Sequence, residues 1–319
     1  MARLISNWFR LLRVPNLFTA PGDSLAGLCL ATLLTKSPCP EPRTLGLLAV
    51  SSFFAYAFGI LTNDLFDLKE DRRQRPERPL PSGNVSVVSA VIAAVLTAVV
   101  SGTCAFLVSR NTLFASLLLL AVILLYNGIA KRFRFIGSLV MGLCRGANVL
   151  LGIAACNAIS LRQWTTFRFE GDVRYVFLPA LSVTIIIAVV TWIADGENRV
   201  QRLGCISSFL PAFAALAGWL GVLPFLSWPA PLANGSFCLS FLFIAYAAGS
   251  YFMTGLGLYG HNAPPELTRP AIGSFIRALI PWQLGWILLN GSSTANATAI
   301  ALLAAWSASR ALAKLFPQT

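Results

Sequence analysis

Apolar runs too long for the core of a soluble domain dominate this chain. Val85 to Val108, Leu113 to Ala130 and Tyr175 to Ala194 each approach the ~20 residues a helix needs to cross a hydrocarbon core. The runs are continuous, whereas strands of an outer-membrane barrel alternate apolar and polar residues in segments of about 10. A soluble enzyme and a β-barrel are both excluded. Composition agrees, with 56% hydrophobic and 11% charged residues over 319 positions. The expected fold is all-α: a polytopic membrane protein with nine or ten transmembrane helices in a single domain, residues 1–319.

The spans read as 17–34, 44–62, 85–108, 112–130, 137–157, 175–194, 204–223, 236–257, 271–289 and 294–312. Lys36–Arg43 and Ser227–Ser236 read as short connections, and Ser160–Arg174 as a longer polar outer loop. With the N-terminus in the cytoplasm, the outer side receives Lys36, Arg43, Arg110, Arg162, Arg168 and Arg174. Arg145 lies within a span, and the rest of the 24 basic residues fall inside. This bias is the positive-inside rule. It accounts for the net charge of +12 without nucleic acid as a partner, and it fits a multi-pass protein of a bacterial inner membrane.

Seven cysteines form no CxxC pair, and the single histidine, His261, leaves no cluster for zinc, haem or iron. His261 reads as a loop residue or, alternatively, as a base. Asp23 interrupts the first apolar stretch, which argues against a removable signal peptide.

Carboxylates are scarce, and their placement carries the functional reading. Of twelve, five fall in the stretch from Asn63 to Pro79, which holds Asp64, Asp67, Glu70, Asp71 and Glu77. On a helix turning about 100° per residue, Asp64, Asp67 and Asp71 share one face, with Asn63 four residues from Asp67. Like charges so arranged repel unless a cation sits among them. An oxygen-only set at a membrane edge suits magnesium bridging to a substrate's phosphates. Arg72, Arg73, Arg75 and Arg78 follow directly and offer positive charge to phosphate oxygens, so the corner reads as a diphosphate site. The plainer alternative is a solvated loop whose acids and bases pair with one another.

Asn63 to Asp71, reading NDxxDxxxD, resembles the first aspartate-rich motif of the UbiA superfamily of intramembrane prenyltransferases. The segment Arg78-Pro79-Leu80-Pro81-Ser82-Gly83 is similar to the RP(L/I)xxG segment that follows it there, and Tyr126-Asn127 with Lys131 resembles that family's Tyr...Lys pair. Met141 to Gly152, with Pro15 and Asn16, is similar more narrowly to the EboC-type branch. The resemblance implies a helical barrel whose central cavity opens to lipid. In it magnesium holds a prenyl diphosphate donor, and the isoprenyl group passes to an acceptor that is aromatic or lipid-like. It implies catalytic roles for Asp64, Asp67, Tyr126 and Lys131, and metal ligation by Asn63, Asp64, Asp67 and Asp71. Substrate contacts are implied for Asn16, Asn63, Arg72, Arg78 and Lys131. Phe53, Phe54, Tyr56, Tyr126 and Trp192 are candidates for aromatic faces along the cavity.

The second motif departs from the family's DxxxD. Here it reads Asp195-Gly196-Glu197-Asn198-Arg199, with arginine in the second aspartate position. Either Asp195 and Glu197 form a compressed metal site, which requires the helix to break at Gly196, or Arg199 and Arg202 grip diphosphate directly. A prenyl-lipid carrier that kept the fold without catalysis is the alternative function. Asp23, Arg145 and Asn148 are polar residues at membrane depth, where such groups usually face a cavity. They read either as substrate-binding residues or as a structural ion pair between Asp23 and Arg145.

Overall fold

The computed structural model describes residues 2–13, 17–159, 171–226, 235–260 and 262–315. Asn16, His261, most of the expected outer loop at 160–174 and most of the 227–236 connection lie outside the described residues. Among the described residues eight segments are long and apolar enough to cross a membrane. Six correspond to single helices or nearly so: α3 (Pro42–Phe66), α5 (Val87–Val108), α6 (Arg110–Gly128), α7 (Arg134–Ala154), α8 (Leu178–Ala194) and α10 (Gly235–Leu258). A seventh contains α9 (Cys205–Leu220), and the eighth is built from α11 (Pro265–Arg277) and α12 (Leu279–Leu288).

Three expectations are corrected. The first span is a 14-residue apolar helix, α2 (Pro21–Leu34), which at ~1.5 Å per residue covers only about two thirds of a hydrocarbon core. The ninth starts earlier than 271 and is broken at Ala278, three residues before Pro281, whose ring nitrogen cannot donate to the Arg277 carbonyl. The tenth, α13 (Ser293–Leu315), is long enough to span but does not reach the hydropathy of the other eight. Its serines, threonines and asparagine dilute the alanines and leucines. The amphipathic α1 (Ala2–Leu11) precedes the first span, and α4 (Leu68–Gln74) follows α3.

The bundle closes into a ring. Helices pack in the order α2, α3, α5, α6, α7, α8, α9, α10, α12 and back to α2, while α2 also packs on α7 across the middle. Small residues permit the closest of these approaches, as expected where lipid gives no hydrophobic drive for helix association. A Cβ at Gly152 of α7 would collide with the Ser24 carbonyl of α2, and one at Gly142 with the Thr184 carbonyl of α8. Buried hydroxyls join other helices: Ser51 Oγ donates to the Ser101 carbonyl at 2.9 Å, and Ser101 Oγ lies 3.2 Å from Ser116 Oγ. Ser86 caps α5 by accepting from the Ser89 amide.

The α2–α7 contact divides the ring. The half containing α9, α10 and α12 is filled: all ten residues of α12 are buried, and Trp219, Tyr251, Trp282 and Trp286 are among the largest fully buried side chains. The other half holds a cavity. A two-stranded ladder of β1 (Gln201–Arg202) and β2 (Asn262–Ala263) ties the turn after α8 to the connection after α10.

Candidate active site

The cavity has a volume of about 280 Å³ and is lined from α3, α6, α7 and Arg13. On α3 its wall runs from Ser52 to Asn63, about 16 Å at ~1.5 Å per residue. The walls between are mostly apolar, supplied by Ala55, Ile60, Leu119, Ile123 and Met141, with the Tyr56 and Tyr126 rings among them. A central cavity of a helical barrel was expected, and this cavity occupies one half of the ring. None of its lining residues comes from α8, α9, α10 or α12, and Trp219, Tyr251, Trp282 and Trp286 are buried on that side.

At the end near Asn63 a continuous polar chain links five side chains. Arg13 Nη2 donates to Asp64 Oδ1 at 2.8 Å, and Asn63 Nδ2 donates to the same oxygen at 3.3 Å. Lys131 Nζ donates to Asn63 Oδ1 at 3.1 Å and pairs with Asp67 Oδ1 at 2.6 Å. Sequence reasoning missed Arg13. Its contact partner is 51 positions away, and no local pattern in Leu11-Leu12-Arg13 signals it. Tyr126 lines the cavity as expected, and the neighbouring Asn127 braces α6 on α3 by donating to the Gly59 carbonyl and Thr62 Oγ1.

The three aspartates do not lie on one continuous helix. The chain breaks at Asp67, which ends α3 and begins α4, and Asp71 is buried against Arg78, whose Nη1 contacts both its oxygens at 2.8 and 3.1 Å. Asp71 and Arg78 thus satisfy one another, and Arg72 is exposed. For Asp71 this is the pairing of the plainer alternative.

Oxygen is the only donor type that Asn63, Asp64 and Asp67 offer, which fits a hard divalent cation. Among the described residues no three His, Cys, Asp or Glu side chains converge on one point. The mouth offers the Asp64 and Asp67 carboxylates and the Asn63 amide oxygen. It suits magnesium, which takes one or two carboxylates and completes its shell with water and phosphate oxygens.

The second motif lies in the turn after α8. α8 ends at Ala194, and residues 195–198 form a turn in which the Gln201 side chain lies against Gly196. Asp195 pairs with Arg134 at 3.0 Å, and Arg134 also lies 4.0 Å over the Trp192 ring. Arg199 is 65% exposed and 3.8 Å from Asp195. The helix breaks where a compressed site requires, yet Asp195, Glu197, Arg199 and Trp192 contribute nothing to the cavity wall. Phe53 and Phe54 likewise pack on each other rather than line the cavity.

At the far end Arg145 and Asn148 reach the cavity, while Asp23 is fully buried behind them. Arg145 Nε lies 2.8 Å from Asp23 Oδ2, and its Nη2 donates to Asp23 Oδ1 at 3.2 Å and to the Thr19 carbonyl at 3.1 Å. Asn148 Nδ2 donates to Asp23 and to the Ala20 carbonyl, and its Oδ1 accepts from Ser52. Gln283 of α12, absent from the sequence reading, also donates to Asp23 at 2.7 Å. The ion pair is therefore made, and Arg145, with the neighbouring Asn148, still faces the cavity.

The family model described as UbiA prenyltransferase family matches residues 24–256. The chain belongs to that family. A digeranylgeranylglyceryl phosphate synthase of Methanococcoides burtonii is 30% identical over 163 residues, covering 50% of this chain and 58% of that protein. One of Thermococcus gammatolerans is 31% identical over 140 residues, covering 43% and 51%. The chain thus spans little more than half the length of these relatives. They are named as digeranylgeranylglyceryl phosphate synthases, and so do not meet the narrower EboC-type likeness. The fold is that of a UbiA homolog from Aeropyrum pernix K1 (TM-score 0.59, 21% identity, 83% of this chain and 96% of that one). It also matches a solved digeranylgeranylglyceryl phosphate synthase (TM-score 0.58, 18% identity, 91% and 99%). The protein is an integral, multi-pass member of its family.

Proposed function

We propose that this UbiA-family protein transfers an isoprenyl group from a prenyl diphosphate to a lipid-like acceptor within the membrane, with magnesium. The observation that carries the reading is the mouth at Asn63, where oxygen ligands and basic side chains alternate at the entrance to an apolar cavity. Asn63, Asp64 and Asp67 are the metal ligands in this reading, and a bound magnesium ion supplies charge against the departing pyrophosphate. Arg13 and Lys131 present N–H donors to diphosphate oxygens. Tyr56 and Tyr126 offer π-faces to the allylic cation, and the apolar wall keeps water from it. The glyceryl phosphate in the relatives' names supports a lipid acceptor, and the basic bias of the inner loops supports a mouth on the cytoplasmic side.

The turn at Asp195 favours a second reading, a prenyl-lipid carrier, because arginine stands in the second aspartate position and the Asp195 carboxylate pairs with Arg134 and Arg199. One assay separates the two. The full chain in nanodiscs is given geranylgeranyl diphosphate, magnesium and a membrane lipid extract, and pyrophosphate and product masses are followed. Pyrophosphate release with a lipid heavier by one geranylgeranyl group is the expected result. Donor binding without release supports the carrier, and failure to bind donor refutes both readings.

A further inference from the structure

Arg13 enters the site from outside the ring. It follows α1, its φ of +46° lies in the left-handed region that non-glycine residues seldom adopt, and its side chain is 35% exposed while the Asp64 carboxylate it holds is buried. The other two cations at the mouth are held differently. Lys131 sits in a short turn between two packed helices and is shared by Asn63 and Asp67, and Arg78 is closed on Asp71 within its own loop.

Asp64 in this arrangement already has its charge matched, and its Oδ1 takes both Arg13 and Asn63. A dication arriving alone meets the guanidinium and must compete with it for the carboxylate. A diphosphate arriving alone meets the carboxylate and finds the guanidinium engaged. Arriving together they resolve both conflicts, since the metal takes Asp64 and the guanidinium transfers its paired N–H donors to phosphate oxygens.

We infer that Arg13 is an exchangeable latch on Asp64, passing from carboxylate to diphosphate as the metal enters, so that this residue adds to the cooperativity that direct magnesium–phosphate contact supplies. The inference rests on the prenyl diphosphate reading. Coupling is reciprocal, so the factor by which magnesium raises diphosphate affinity equals the factor by which diphosphate raises magnesium affinity.

Calorimetry on the full chain in nanodiscs tests it with three titrations: magnesium alone, geranylgeranyl diphosphate with chelator, and the diphosphate at saturating magnesium. Wild type is expected to show coupling of about tenfold or more. Arg13→Ala should bind magnesium alone about tenfold more tightly than wild type, with the coupling reduced about tenfold to what direct magnesium–phosphate contact supplies. Asp64→Asn should move the other way, binding the diphosphate with chelator more tightly because the guanidinium is released. Arg13→Lys, which keeps the charge, should retain most of the coupling and exposes any folding defect in the alanine variant. If Arg13→Ala binds magnesium no better than wild type, or wild type binds both ligands without coupling, the latch is refuted and the diphosphate reading stands. Wild type that binds neither ligand in any combination overturns that reading and the latch with it.

Discussion

Replacing Asp23 by asparagine removes one charge from a site that water does not reach. Three donors converge on this carboxylate, Arg145 Nη2 and Gln283 Nε2 on Oδ1 and Asn148 Nδ2 on Oδ2, at 2.7 to 3.3 Å, and Arg145 Nε lies 2.8 Å from Oδ2. Asparagine keeps the shape but leaves the Arg145 charge unmatched and turns an NH2 group toward donors. Breaking one partner of a buried pair costs about 3–5 kcal/mol. At roughly 2 °C per kcal/mol for a chain of this size or somewhat smaller, the melting midpoint should fall by about 6–10 °C. Arg145→Met should cost a similar amount, because the carboxylate then keeps only two neutral donors. The double variant Asp23→Leu/Arg145→Met should be far less damaging than the sum, since Gln283 Nε2 keeps the Thr19 carbonyl and Asn148 Nδ2 keeps the Ala20 carbonyl. Thermal denaturation of all four proteins in one detergent measures the cycle. Single variants melting within about 2 °C of wild type, or a double variant as unstable as the two losses added, would refute the reasoning. Turnover of the double variant then separates the roles: retained activity makes Arg145 structural, and a raised acceptor KM makes it a substrate contact.

Gly152→Ala should destabilise by about 1–3 kcal/mol in the same melting assay, because the new methyl group meets the Ser24 carbonyl where α2 and α7 touch. Lys131→Met should weaken binding of geranylgeranyl diphosphate at saturating magnesium by about tenfold, read by calorimetry, through loss of a charge-assisted donor. Arg199→Asp places a carboxylate beside Asp195 and should raise the magnesium stoichiometry from one to two at millimolar metal. An unchanged stoichiometry would set the turn at 195–199 apart from the metal chemistry.

The class of the fold is written in the chain, because a run of some twenty apolar residues has few ways to be buried and only a helix satisfies its backbone in lipid. The motif from Asn63 to Asp71, the Lys131 position and the polar residues at membrane depth were likewise legible, since scarce charges in an apolar chain stand out individually. Sequence spacing did not reveal the break at Asp67, because it assumes one continuous helix, nor did it reveal the ion pair that Asp71 makes with Arg78. Contacts between distant segments were decided only by packing: Arg13 on Asp64 and Gln283 on Asp23 join residues 51 and 260 positions apart. The place of the cavity was decided in the same way. Each aromatic residue of α10 and α12 is as apolar in sequence as those of α3, and only the ring closure, with α2 drawn against α7 at Gly152, determines which half is filled and which stays open.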